Sequence, residues 1–208
     1  MIKNLLFDMG GVVFKQNTEE AFRRFRHAGI DTDYYMGEYG QKDFFFDLEA
    51  GNIDDQEFRQ KMSEAVGRTI SWDEVQCCWL GFFNGVPEER LRNLKTLRKN
   101  YHLCLLSNTN PFIMAYTRSC QFSNEGKPIT DFFDSFFCSY EMKCCKPSDE
   151  IFLKALKQDL MTPNECLFID DSQANCDAAE RLGFHVLCSK SNSDWMPEVK
   201  EIIKQYNT

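Results

Sequence analysis

Histidine is scarce in this sequence: only His27, His102 and His185 are present, and none of the ten cysteines forms a Cys-x-x-Cys pair. Zinc-finger spacings are therefore missing, and the adjacent pairs Cys77-Cys78 and Cys144-Cys145 read as core thiols rather than metal ligands. A chain of 208 residues can bury a core without disulfide staples. Its beginning has no basic region, long apolar stretch or small-residue cleavage site, so reduced thiols and a cytoplasmic location are expected. No apolar run approaches the ~20 residues that cross a bilayer, which argues against a membrane protein. Positive charge is also short, with 24 Lys and Arg against 32 Asp and Glu, a formal net charge of −8. An acidic surface repels phosphate backbones, so neither nucleic acid nor an anionic membrane is an expected partner.

What remains is the composition of a globular domain: 43% hydrophobic and 27% charged residues, with nineteen Phe to fill a core. Short apolar runs alternate with amphipathic stretches. Leu5 to Phe7, Leu103 to Leu106, Phe136 to Cys138, Cys166 to Ile169 and His185 to Cys188 read as strands. Their near-continuous apolar character fits a parallel sheet covered on both faces. Helices are expected over Pro87 to Arg98, Ser148 to Lys157 and Gln173 to Leu182, the last stopped by Gly183. This alternation predicts an α/β fold, a doubly wound, Rossmann-like parallel sheet.

One segment breaks the pattern. From about Thr18 to Phe83 only helical periodicity is found, as in Glu19 to Ala28, Asp54 to Val66 and Ser71 to Phe83. That is too much chain for one crossover. The expected division is therefore a core of residues 1–16 and 86–208 with a helical cap, 17–85, inserted after the first strand.

Ligands of open parallel sheets bind beyond the carboxyl ends of the strands. Four such ends lead into polar groups: Asp8, Ser107-Asn108, Lys143 to Lys146, and Asp170-Asp171. Each alone reads equally well as a turn or a helix cap. Together they assemble a carboxylate nucleophile, a cation site and anion donors. Asp8 and Asp170 brought to one spot need a cation, and hard oxygen ligands suit Mg²⁺. Lys146 offers a compact positive charge, and Ser107 with neighbouring backbone N–H groups can hold a phosphate oxygen. Phosphoryl transfer is the chemistry such a set serves.

At these residues the sequence resembles the haloacid dehalogenase-like hydrolase superfamily. The four motifs are Leu5 to Val12, Leu105 to Asn110, Lys146-Pro147 and Phe168 to Asp171, with further similarity at Trp79, Asn175, Ala178-Ala179 and Gly183. Within the superfamily it is similar to bacterial sugar phosphatases of the alpha-glucose-1-phosphate phosphatase type. The resemblance implies that Asp8 attacks phosphorus to form an aspartyl-phosphate that water hydrolyses. It also implies that Mg²⁺ is held by Asp8, the Gly10 carbonyl and Asp170, with Asp171 as an additional metal-side carboxylate. Ser107 and Asn108 would bind phosphate oxygens, and Lys146, with Lys143 as its rival, would neutralise charge at Asp8 and the phosphate. The expected partner is a small phosphorylated metabolite, and the expected state a monomer or weak homodimer.

One position departs from the pattern. Most phosphatases of the superfamily carry a second Asp two residues after the nucleophile, which protonates the leaving oxygen and then activates water. Here that position is Gly10, and losing such a group typically costs about 10²–10⁴ in rate. The alternatives are proton transfer by water or a cap residue (Glu38, Asp43 and Asp47 are cap acids), a hydrolytic 2-haloacid dehalogenase, or a silent phosphate-binding protein. The aromatic stretch of Tyr34-Tyr35, Tyr39 and Phe44 to Phe46 is expected to form the cap's own core; the alternative is that one or two of its rings face the cleft as a wall on which a sugar could stack. Arg118 to Asp131 reads as an irregular loop in which Arg118 and Lys127 could meet an anionic substrate, although solvated positions are the first expectation.

Overall fold

The computed structural model describes residues 1–36 and 41–207. The chain opens with β1 (Asn4–Phe7), continues through α1 (Thr18–Ala28), α2 (Thr32–Tyr35), α3 (Phe44–Glu49), α4 (Asp55–Val66) and α5 (Trp72–Trp79), and reaches α6 (Glu88–Leu97). There follow β2 (His102–Ser107), α7 (Pro111–Thr117), β3 (Ser135–Cys138), α8 (Ser139–Met142), α9 (Asp149–Gln158), β4 (Cys166–Asp170), α10 (Gln173–Arg181), β5 (His185–Cys188) and α11 (Met196–Tyr206). The five strands form one parallel sheet in the order β3-β2-β1-β4-β5. This is the expected α/β architecture, and β1 lies at its centre.

Alternation along the strands sorts side chains to the two faces. Leu5, Phe7, Leu103, Leu105, Leu167 and Ile169 join one apolar cluster, which continues through Phe25, Phe45, Phe58 and Trp79 of the cap helices. Leu6, Cys104, Leu106 and Phe168 face the other way, onto Ile151 and Phe152 of α9 and Ala178 and Ala179 of α10. Burial on both faces accounts for the continuous apolar runs. The edge strand β5 is the exception: His185 to Leu187 are only partly buried and Cys188 is exposed. Of the ten thiols, Cys78, Cys104, Cys138, Cys144, Cys166 and Cys176 are buried, whereas Cys77, Cys120 and Cys188 are exposed. The core-thiol reading therefore fits the first six and fails for the last three.

The chain enters and leaves the inserted helices side by side. Lys15 N–H donates to Gly85 O (3.0 Å), Asn84 N–H to Lys15 O (2.8 Å) and Asn17 N–H to Phe82 O (2.9 Å). Helix α5 ends at Trp79, four residues before the expected Phe83. Beyond Trp79 the bonding tightens to i→i−3, with Gly81 N–H donating to Cys78 O at 3.0 Å, Phe82 N–H to Trp79 O at 3.1 Å and Phe83 N–H to Leu80 O at 3.1 Å, and Gly81 lies against the Ala21 backbone, where a Cβ would collide. Asn17 caps α1 through its side chain, Asp54 caps α4, and Ser71 with Glu74 forms a capping box on α5. Among the described residues, no helix is long and apolar enough to cross a membrane.

Candidate active site

The register of the sheet brings the four motif ends together. Phe7 pairs with Leu105 on one side and Ile169 on the other, so Asp8 leaves β1 level with the last residues of β2 and β4. Its backbone N–H donates to Ile169 O at 2.8 Å. Beyond it the chain turns sharply, with Val13 and Phe14 N–H groups both donating to Met9 O at 2.9 and 3.0 Å. Gly11 has φ of 74° in this turn, and a side chain there would run into the Asp171 carboxylate and the Ser191 hydroxyl. Only glycine lets the β1 loop approach Asp171 so closely.

Lys146 joins the strand ends. Its Nζ donates to Asp8 Oδ1 at 2.7 Å, Asp170 Oδ2 at 2.6 Å and Leu106 O at 2.9 Å, and its side chain is 1% exposed. Burial opposes its charge, but Asp170 and Asp8 outweigh burial and raise its pKa above the usual lysine range. Lys143, the rival candidate, is exposed and ends α8 with φ of 55°; it takes no part in the cluster. The Lys146-Pro147 peptide is cis.

Carboxylate oxygens of Asp8, Asp170 and Asp171 lie within 4.8 Å of one another. Burial first, then the charges of Asp170 and Asp171, push Asp8 up to about 7 against the pull of Lys146. Burial likewise raises Asp171, which Ser191 holds down by a hydrogen bond. Three carboxylates sharing one ammonium leave an excess of negative charge, so this oxygen set fits a hard divalent cation such as Mg²⁺. Gly10 lines the same cleft.

The second rank of residues fixes these groups. Asp170 is fully buried, and its Oδ1 accepts from Ser172 N at 2.8 Å. The Asn175 amide donates to both Asp170 oxygens at 3.1 and 3.2 Å from the first turns of α10. In the sequence Asn175 is only a point of similarity; the fold is what brings its amide onto Asp170. Asn108 is tied by its side chain to the backbone of Lys146. Its Oδ1 accepts from Lys146 N at 2.8 Å and its Nδ2 donates to Lys146 O at 2.9 Å. With both side-chain groups committed, what it can offer an anion is its backbone N–H. Ser107 is buried beside it, with Oγ 3.3 Å from Asn108 O, and the buried Thr109 Oγ1 has no hydrogen-bond partner among the described residues.

These groups form the floor of a cavity of about 220 Å³, walled by Phe14, Gln16, Gln41, Glu49, Trp79 and Phe82. That is below the usual range of ligand sites, roughly 300–1,000 Å³, and suits a small substrate. Among the described residues, the rings facing the cleft are Phe14, Trp79 and Phe82. Phe44 and Phe45 are buried within the cap, Tyr34 and Phe46 point to solvent, and Tyr35 packs on Phe44 and Phe45. None of those five lines the cleft, and Phe44 and Phe45 follow the expected core reading. Tyr39 and Glu38 lie outside the described residues. Asp43 and Asp47 are not in the wall either, and Asp47 instead accepts from Asn52 at 2.9 Å. Arg118 and Lys127 are turned to other partners, Glu141 at 2.7 Å and Glu125 at 3.5 Å.

Among the described residues, the acid of the inserted helices that reaches the cleft is Glu49, which residue type and helical periodicity alone do not single out. Burial raises its carboxyl from the usual 4.5 to about 7, while the Gln41 and Asn110 amides pull it down. A second cluster, His102, Cys104 and Asp159, lies at the opposite end of the sheet. There His102 Nε2 is 2.8 Å from Asp159 Oδ2, an ordinary polar pair.

Comparison with known proteins follows the same lines. A D-ribitol-5-phosphate phosphatase of Bacteroides thetaiotaomicron is 39% identical over 204 residues, covering 98% of this chain and 99% of its own. A solved structure described as a predicted HAD-like family hydrolase from Porphyromonas gingivalis superposes with a TM-score of 0.93 at 37% identity, covering 98% of each chain. A HAD family enzyme of Bacteroides thetaiotaomicron, solved as an alanine variant with magnesium and inorganic phosphate, gives 0.88 at 31% identity over 96% of this chain and 99% of that one. None of these relatives supports the narrower resemblance to alpha-glucose-1-phosphate phosphatases. The profile of the haloacid dehalogenase-like hydrolases matches residues 2–183, and the chain belongs to that family.

Proposed function

We propose that this protein is a Mg²⁺-dependent phosphatase of a small phosphorylated polyol or sugar. The observation that carries the reading is the buried Lys146 ammonium bridging Asp8 and Asp170, with Asp171 alongside, at the floor of the cleft. Asp8 is the nucleophile: Lys146 engages its Oδ1 and orients the other oxygen toward phosphorus. Ser107, the Asn108 backbone N–H and Thr109 Oγ1 receive phosphate oxygens, and Lys146 offsets charge as the aspartyl-phosphate forms. Asp8, the Gly10 carbonyl, Asp170 and Asp171 would hold Mg²⁺, which supplies charge neutralisation at the phosphoryl group. The Asp170–Asp171 pair beside Asp8 argues against a metal-free haloacid dehalogenase. We place the border between core and cap at residues 16/17 and 85/86, where the two linkers pair, and the cap serves to exclude bulk water.

The relative that hydrolyses D-ribitol 5-phosphate and the magnesium-and-phosphate complex of another support the substrate class and the ion. The test is phosphate release from D-ribitol 5-phosphate and a panel of pentose and hexose phosphates, with Mg²⁺ and after EDTA. Turnover of at least one polyol or sugar phosphate, abolished by EDTA, is expected. No turnover across the panel, or turnover indifferent to EDTA, contradicts the reading.

A further inference from the structure

An aspartyl-phosphate phosphatase must give a proton to the leaving oxygen and later remove one from water. Gly10 has no side chain for this task, and the tip of Gln16 stands where one would begin, with Oε1 2.7 Å from the position of a Cβ. Among the described residues that line the cleft, the carboxyls are Asp8 and Glu49. No histidine lines it. Asp8 is committed to Lys146 and the cation cluster. Glu49 stands outside that cluster, on the cap wall.

Its position is built, not incidental. Glu49 is the last residue of α3, and two residues later Gly51, at φ of 69°, lies so close to α8 that a side chain would collide with the Tyr140 carbonyl. That contact seats the end of α3 on the core. The carboxyl is approached by the Gln41 and Asn110 amides. Each amide has a buried atom, Gln41 Oε1 and Asn110 Nδ2, with no hydrogen-bond partner among the described residues. Asn110 is fully buried and its Oδ1 caps α7 through Phe112 and Ile113 N–H.

Resting on the phosphatase reading, we infer that Glu49 is the general acid and base that replaces the missing carboxyl at position 10. In the first step an Asp8 oxygen bonds to phosphorus, the bond from phosphorus to the leaving oxygen breaks, and the Glu49 proton moves to that oxygen to give the free alcohol. In the second, water attacks phosphorus, its proton passes to the Glu49 carboxylate, and the bond to Asp8 breaks to release inorganic phosphate. Both residues end as they began. The elevation of the Glu49 carboxyl to about 7 by burial is in keeping with a group that exchanges protons near neutrality. The ionisable groups that act on it are Asp8 from the end of β1 and Lys146 from the loop after α8; the Cys145 thiol on that loop feels its charge in turn.

The experiment compares wild type, Glu49→Gln and Glu49→Asp on D-ribitol 5-phosphate and on p-nitrophenyl phosphate, whose nitrophenolate departs without a proton. Glu49→Gln should lower kcat on the polyol phosphate by about 10²–10⁴. On p-nitrophenyl phosphate it should show a burst of nitrophenolate equal to the enzyme present, then slow turnover, because only water activation is impaired. Glu49→Asp, which keeps a carboxyl, should retain more polyol-phosphate turnover than Glu49→Gln. Wild-type kcat in Glu49→Gln, equal losses in both variants, or a first step slowed alike for both leaving groups would overturn the assignment while leaving the phosphatase reading intact. A wild-type protein that releases phosphate from nothing overturns both.

Discussion

Asn108 grips the backbone of Lys146 from both sides, accepting its N–H at 2.8 Å and donating to its carbonyl at 2.9 Å. An amide at the end of β2 thereby sets the loop whose lysine enters the carboxylate cluster. Asn108 thus acts on the chemistry through Lys146.

Replacing it tests that route. Asn108→Ala should lower kcat by about 10–100-fold, the usual cost of removing a group that orients an active-site residue. Asn108→Asp keeps the acceptor but loses the donor, and should fall between. Steady-state kinetics on the substrate identified by the phosphate-release panel reads the effect. Unchanged kcat in Asn108→Ala would separate Asn108 from Lys146.

Gly10→Asp restores the carboxyl that most phosphatases of the family carry. The φ of Gly10 is not in the left-handed region, and the obstacle is the tip of the flexible Gln16 side chain, so the turn should survive. In the Glu49→Gln background, Gly10→Asp is expected to recover at least about tenfold of the lost turnover, within the range acid-base groups supply. No recovery, with the fold intact by circular dichroism, would mean that proton transfer does not limit the variant.

Glu49 also leaves a signature in stability. Its carboxyl is raised from 4.5 to about 7 by burial, so folding favours the protonated form. The associated stability is present below the unfolded pKa and lost as pH rises through the folded one. Glu49→Gln, neutral at every pH, should therefore be more stable than wild type at about pH 8, by on the order of 1–3 kcal/mol. The difference should shrink toward zero near pH 4. Denaturant titrations at the two pH values measure it, and a difference independent of pH would contradict the buried-carboxyl description.

The strands, their parallel order and the four motif ends were legible in the sequence because burial on both faces writes continuous apolar runs. Those runs stop where the chain meets the ligand edge at Asp8, Ser107 and Asp170. Lys146 could be preferred over Lys143 from its neighbours in sequence, although only packing shows one buried and the other in solvent. What periodicity could not give was the direction in which cap residues point. Glu49 closes a six-residue helix, too short for a periodic pattern, and its approach to Asp8 depends on Gly51 meeting Tyr140 across a long stretch of chain. The aromatic cluster shows the same limit: Phe44 and Phe45 turn inward and Phe46 outward, while Phe14 and Phe82, near the two linkers, wall the cleft. Asn108 and Asn175 were visible as residue types, but their partners come from distant segments.

The account depends most on Asp8 forming a covalent bond to phosphorus. The direct measurement is an acid quench during turnover of the polyol or sugar phosphate with Mg²⁺, followed by mass spectrometry of the peptide containing Asp8. A phosphoryl group on Asp8 is predicted in the wild type, and none in an inactive but folded Asp8→Asn. Steady phosphate release with Asp8 unmodified at every quench time, or undiminished turnover in Asp8→Asn, would contradict it.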